Sequence, residues 1–481
     1  MDAQYARVRL DVDPRGRGTP PVPQPDDPFC IALLGDFSGR ASAGPPLVDR
    51  RAIPIDRDDL DDRLASLAPE LRIDLGGGIA GRFAFRSLDE FHPDRLWASA
   101  PLFRALREAH AHREESASAD PPEPAAPLPA PEPESLLRGS ILDRMLDASS
   151  TTTSPAPADP LEAYVHRIVA PHLVPDEDSH QAARRQEIES IATAALRATL
   201  HDPAFQALEA RWRGADFVVK RLDTDASLRV FLLDVSYADI AADAAVDGSA
   251  FATLLDRTAQ ALPGNAGWCV LAADWSFAPG DARTLGHIVR AAARYGAAFL
   301  AAADPALAGI ASFATLPDAA RETGDPDWHA LRRQHDAHHA GLALPRILLR
   351  TPYGQHADPC DTIPFEEMTP TPNHRDFLWG SPAFACAVLL GQSFQEAGWR
   401  MRPGMRLDLD RLPLHTYTHD GETTLLPCAE SLMTDRLAGQ LLDCGLMPLA
   451  SIRHGDTARL VRFQSIASPL TALRGPWDRR S

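Results

Sequence analysis

Three histidines, His335, His338 and His339, form the tightest cluster of potential metal ligands in this 481-residue chain. On a helix, that spacing would turn imidazoles toward one face, where two could share a zinc ion. The carboxylate of an HExxH motif does not accompany them. In a chain with 17 histidines, a solvated polar face is the simpler expectation. His419, Asp420, Gly421 and Glu422 put acid beside base, but Asp-Gly is the composition of a tight turn, and a turn is expected there. Gly76, Gly77 and Gly78 lack both a following GK[ST] and a GxGxxG pattern, so they read as a turn and not as a phosphate cradle. No GxSxG elbow, activated cysteine setting or glycosidase-type carboxylate pair supplies a nucleophile or base. The sequence therefore predicts no catalytic residue, no metal site and no cofactor.

Any site would depend on the elements that hold it. From residue 228 onward, apolar strands alternate with amphipathic helices. Strands are expected at 228–235, 268–273, 298–303 and 347–350, with helices at 251–262, 284–295, 383–397 and 429–443, and closing strands at 447–452 and 460–465. Such alternation predicts an α/β fold with a mostly parallel sheet and flanking helices. In that architecture ligands bind at the carboxyl ends of the strands, which places Asp274, Trp275, Asp304 and Pro305 at the candidate position. Upstream, a short apolar strand at 31–34, a helix at 58–67 with Asp58, Asp59, Asp61 and Asp62 in its first turn, a strand through Phe83 and Phe85, and a helix capped by Ser99 predict a smaller α/β domain.

Two segments stand apart from these domains. Residues 4–12 alternate, with Val8, Leu10 and Val12 on one face, the period of a strand. A Pro- and Gly-rich tether over 14–28 separates that strand from the rest of the chain. Residues 113–160 form a second Pro-rich linker, and within it Leu137, Ile141 and Met145 recur at helical spacing over 135–147. The expected organisation is an arm and tether at 1–28, a small domain at 29–112, the linker at 113–160 and a larger α/β domain at 161–481.

Composition narrows the function classes. Acidic residues outnumber Lys plus Arg by 66 to 48, so the chain repels phosphate backbones and anionic lipid, and nucleic acid is excluded as an expected partner. Lys220 is the only lysine. No stretch meets the criterion for a membrane-spanning helix, the N-terminus has no secretory h-region, and six scattered cysteines suit a reducing compartment. The expected location is the cytoplasm, without membrane insertion.

Whole phrases resemble the contractile sheath of the type VI secretion system, in two blocks that normally belong to separate chains. Arg7-Val-Arg-Leu-Asp-Val12, Phe29 to Gly39, Ile53 to Leu60 and Ser87 to Asp94 resemble the small sheath subunit. Pro203 to Gly214, Leu344 to Gly354, Phe377 to Gly380, Gly398-Trp399, Leu412 to His415 and Thr434-Asp435 resemble the large one. The resemblance implies a non-enzymatic assembly whose partners are other sheath subunits, with the inner-tube protein, the baseplate and a recycling AAA+ ATPase as further candidates. It also implies that the strand carrying Val8, Leu10 and Val12 is exchanged between neighbours, as a tethered strand permits, and that the helix carrying Leu137, Ile141 and Met145 is the ATPase handle. The family's large subunit continues into a further core domain. The expected role is therefore an accessory cap or adaptor. The alternatives are an ordinary polymerising subunit completed by a separate core polypeptide, an α/β enzyme, or a monomeric binding adaptor.

Overall fold

The computed structural model describes residues 22–40, 43–74, 80–104, 106–108, 178–264, 267–314, 317, 319–355, 357–370, 372–419 and 422–478. The arm at 4–12 and the helix at 135–147 lie outside the described residues, as do Gly76, Gly77, Gly78, Asp420 and Gly421.

Fifteen strands are described. They are β1 (Phe29–Gly35), β2 (Ala52–Ile55), β3 (Glu70–Asp74), β4 (Ala80–Ala84), β5 (Leu228–Asp234), β6 (Val270–Phe277), β7 (Ala298–Ala303), β8 (Ala340–Leu344), β9 (Ile347–Leu348), β10 (Trp379–Gly380), β11 (Asp408–Leu409), β12 (His415–His419), β13 (Glu422–Leu426), β14 (Met447–Ser451) and β15 (Ala458–Leu460). Nine of them form one sheet in the order β11-β15-β14-β8-β7-β6-β1-β5-β2. Its six central strands, β5, β1, β6, β7, β8 and β14, run parallel, and antiparallel β2 and β15 flank them. The α/β fold with a mostly parallel sheet is present as the alternation implied.

The helices are α1 (Leu60–Leu67), α2 (Pro93–Ser99), α3 (Asp178–Leu200), α4 (Pro203–Arg221), α5 (Tyr237–Ala245), α6 (Ala250–Gln260), α7 (Ala282–Ala293), α8 (Pro326–Arg332), α9 (Pro382–Ala397) and α10 (Asp435–Asp443). They cover both faces of the sheet. Strand periodicity divides β1 between the two cores: Phe29, Ile31 and Leu33 join the side of α4 and α9, while Cys30, Ala32 and Leu34 join the side of α5, α6 and α7. A strand buried on both faces reads as a continuous apolar run, which is why FCIALLG has no polar residue. Close helix packing is set at Gly214, where a Cβ would stand 2.7 Å from the Phe384 ring of α9.

The small N-terminal region differs from the expected domain with a core of its own. β1 pairs along its whole length with β5, from Phe29 opposite Leu228 to Gly35 opposite Asp234, and its other edge pairs with β6. β2 then closes that end of the sheet against β5. Only the hairpin β3–β4, with α1 and α2, stands outside the main sheet, and its Phe83, Phe85 and Phe91 pack edge-on against Phe205 of α4. Residues 29–108 thus share their core with the later chain, because β1 buries both faces and hydrogen-bonds at both edges.

Local corrections have physical causes. Ser99 ends α2, donating its hydroxyl to the Arg95 carbonyl, and the segment beyond it opens with a 3-10 turn, Pro101–Phe103, before helical backbone at Arg104 and residues 106–108. His92 caps α2 with Pro93 at its first position. The helix read at 429–443 starts at Asp435, because the Thr434 side chain caps it, and it ends with Gly445 at a φ of +82°.

The interleaving makes an expected outcome concrete. Expressed separately, residues 1–112 and 113–481 should each lack a cooperative melt by circular dichroism, and co-expression should restore one.

Candidate functional site

The carboxyl ends of β6, β7 and β8 open onto a cleft of about 660 Å³, lined in part by Asp274, Trp275, Asp304, Pro305, Arg346 and Glu430. This is where the strand alternation places a site, and all four residues singled out there do line it. Their groups are already committed. Asp274 Oδ2 receives Arg211 Nε at 2.5 Å, while Oδ1 abuts Gly35, where a Cβ would meet it at 2.9 Å. Burial raises the Asp274 carboxyl, against the pull of Arg211. The Asp304 carboxylate caps the following turn through the Ala306 N–H at 2.8 Å. Glu430 accepts from Arg346 Nε at 3.0 Å and the Arg346 backbone N–H at 2.8 Å, and lies 3.0 Å from His374 Nε2. Burial pushes the Glu430 carboxyl up, but the His374 and Arg346 bonds outweigh it and bring it down to about 2. The cleft can therefore position charge through Arg211, Arg346 and His374, while Asp274 Oδ1 is buried without a hydrogen-bond partner.

Beside the cleft lies a buried ion network that the sequence pattern did not reveal. Arg350 follows β9. Its guanidinium binds Glu209 of α4 at 2.8 and 3.3 Å and Glu367 at 2.7 and 3.0 Å, so each carboxylate is held at two points. Both glutamates are 0% exposed. Arg213 Nε adds a bond to Glu209 at 2.7 Å and its other end reaches the Tyr353 hydroxyl at 2.8 Å, while the Tyr353 backbone N–H donates to Glu367 at 2.7 Å. The Tyr353 ring lies 4.1 Å beneath the Arg350 guanidinium. Burial disfavours the Glu209 charge, yet Arg350 and Arg213 more than offset it and hold its carboxyl below the ordinary range. The available signal was Glu209 and Arg213 in one matching phrase and Arg350 and Tyr353 in another.

The same helix fastens the N-terminal block. Trp212 Nε1 donates to the Phe37 carbonyl at 3.0 Å, and Arg211 donates to the Asp36 carbonyl at 2.6 Å, both in the loop after β1. The three clustered histidines do not converge on a common point. They occupy the 3-10 turn His335–His339, with His338 Nδ1 2.8 Å from the Thr471 hydroxyl and His339 Nδ1 3.1 Å from the Ala297 carbonyl. His419 and Glu422 pair across the two-stranded hairpin β12–β13, away from the cleft strands. Among the described residues no helix is long and apolar enough to cross a membrane. Val8, Leu10, Val12, Leu137, Ile141 and Met145 fall outside the described residues.

A three-layer α/β unit with a buried ion network joining its helices is the class of protein that geometry defines. The sequence comparisons give it a family. Residues 183–467 match the model for VipB (EvpB/VC_A0108, tail sheath N-terminal domain), and residues 3–115 match that for VipA of the type VI secretion system. The chain belongs to the VipB tail-sheath family, and a VipA-type region precedes that part in the same polypeptide. It is also similar to the type VI secretion system sheath protein TssC1 of Pseudomonas aeruginosa, with 30% identity over 295 residues, covering 58% of this chain and 59% of that protein.

The buried network and the cleft differ in what they should contribute to stability. Replacing Arg350 with Ala removes the guanidinium from the buried Glu367, leaves Glu209 with Arg213 alone, and should cost about 3–5 kcal/mol. Arg459→Ala, at an exposed pair with Asp408, should leave the denaturation midpoint close to that of the unmodified chain, both read by urea denaturation. The Glu430 carboxyl is depressed from 4.5 to about 2, so its contribution is full above pH 4.5 and is lost as the pH falls toward 2. A Glu430→Gln variant should accordingly show a shallower loss of melting temperature across that acid window.

Proposed function

We propose that this chain is a non-enzymatic structural component of the type VI contractile sheath, an accessory cap or adaptor that joins the lattice by strand exchange. The observation that carries the sheath reading is the joint match: a VipA-type and a VipB-type region lie in one polypeptide, and their strands alternate within a single sheet. The non-enzymatic reading is supported by the match to the tail-sheath family and the similarity to a sheath protein.

The ends of the sheet favour a donated arm over edge-to-edge pairing. β2 is four residues long and carries Pro54, and β11 is two residues long. Short strands and edge proline are the usual protections against uncontrolled strand addition. In this reading the strand carrying Val8, Leu10 and Val12 makes the contact, adding to a neighbouring subunit's sheet with register set by those side chains. The helix carrying Leu137, Ile141 and Met145 serves as the handle for a recycling AAA+ ATPase. Sheath subunits are the primary partners, with the inner tube and baseplate as further contacts, in the cytoplasm.

Electron microscopy tests the assembly role. The purified chain, alone or mixed with a separately expressed large sheath subunit, should give particles or short stubs. Long regular tubules would make it a polymerising subunit instead. Deleting residues 1–14 should abolish co-purification with sheath subunits, and unchanged co-purification would remove strand exchange from the account.

A further inference from the structure

One group of side chains serves neither the cleft nor the ion network. His92 and Asp94 stand at the start of α2, and Cys360 lies in the irregular loop beyond Tyr353. One donor atom from each residue lies within 4.8 Å of the other two, and all three are partly buried. We propose that His92, Asp94 and Cys360 form a zinc site that fastens the VipA-type region to the 357–370 loop of the VipB-type region.

The hydrogen bonds around the cluster leave one Asp94 lone pair open, while a metal on His92 Nδ1 would take the place of the Asp94 N–H that this nitrogen now accepts. The two oxygens of Asp94 offer four lone pairs. Three are used by the Asp361 N–H at 2.9 Å, the Thr362 N–H at 3.2 Å and the Thr362 hydroxyl at 2.5 Å. The remaining pair is on Oδ2, which faces His92 Nδ1 at 3.8 Å. Nδ1 accepts the Asp94 N–H at 3.2 Å with its single lone pair, and the opposite nitrogen, Nε2, lies 3.8 Å from Asp358 Oδ1. The ring is held edge-on against Tyr353, with centroids 4.8 Å apart. A cation on Nδ1 in place of the Asp94 N–H would leave Nε2–H on the side of the Asp358 carboxylate, 3.8 Å away, where a small approach would make the outer bond that fixes the tautomer of a ligating histidine.

The donor types choose the ion. One nitrogen, one carboxylate oxygen and one thiolate suit Zn²⁺, whereas Mg²⁺ and Ca²⁺ take oxygen sets. Tetrahedral zinc holds its ligands roughly 3.3–3.8 Å apart, so closure calls for a movement of about 1 Å, within reach of a loop outside any strand or helix. Water supplies the fourth ligand. Asp94 already fixes that loop through residues 361 and 362, so the metal would reinforce an existing junction.

Cobalt reports the thiolate directly. The full-length chain, stripped with EDTA and titrated with Co²⁺, should develop a near-ultraviolet thiolate-to-cobalt band that saturates at one equivalent and is displaced by zinc. Cys360→Ser should lose the band, His92→Ala should bind at least tenfold more weakly, and Asp358→Asn about tenfold more weakly, while Cys428→Ala should keep it. A second measurement needs no variant: zinc should slow alkylation of Cys360 in the unmodified protein, read by peptide mass spectrometry. No band in the unmodified chain, a band that survives Cys360→Ser, or alkylation indifferent to zinc would each overturn the site.

Discussion

The structure turns on the position of one strand. β1 arrives early in the chain and lies between β5 and β6, which are separated from it by the whole N-terminal region and linker. All seven of its residues are buried, and its backbone is bonded on both edges. Without β1, two parallel strands would face each other across a gap with unpaired amide groups, each costing about 1–3 kcal/mol in an apolar interior. Its alternate side chains would also leave voids in both cores at once. Two regions that read as separate domains are for this reason one folding unit.

Helix α4 is the second fixed point, because it joins three parts of the chain through one segment. Glu209 and Arg213 face the Arg350 network, Trp212 and Arg211 reach the loop after β1, and Gly214 lets Phe384 of α9 approach. A fully buried guanidinium between two carboxylates is poor evidence of net stability, since desolvation consumes most of the Coulombic gain. What it supplies is geometry: bidentate contacts on both carboxylates permit one placement of α4 relative to the segment after β9.

The cleft at the strand ends is a consequence of the fold. Parallel α/β architecture leaves a crevice there as a matter of topology. Here Asp304 caps the following turn, Asp274 pairs with Arg211 and Glu430 pairs with Arg346 and His374.

The sequence by itself determined the alternation of strands and helices, the parallel character of the sheet and the place of the cleft, because period-2 and period-3.6 patterns are local properties of the chain. It also supplied the family through phrases such as Pro203 to Gly214 and Leu344 to Gly354. Pairing partners were not legible. An apolar run such as FCIALLG announces a strand buried on two sides but carries no record of which strands flank it, since neighbours in a sheet are chosen by packing over long separations. Likewise Glu209, Arg350 and Glu367 are ordinary charged residues in one dimension. Only the tertiary structure brings them within bonding distance and, by excluding water, makes them a fixed joint.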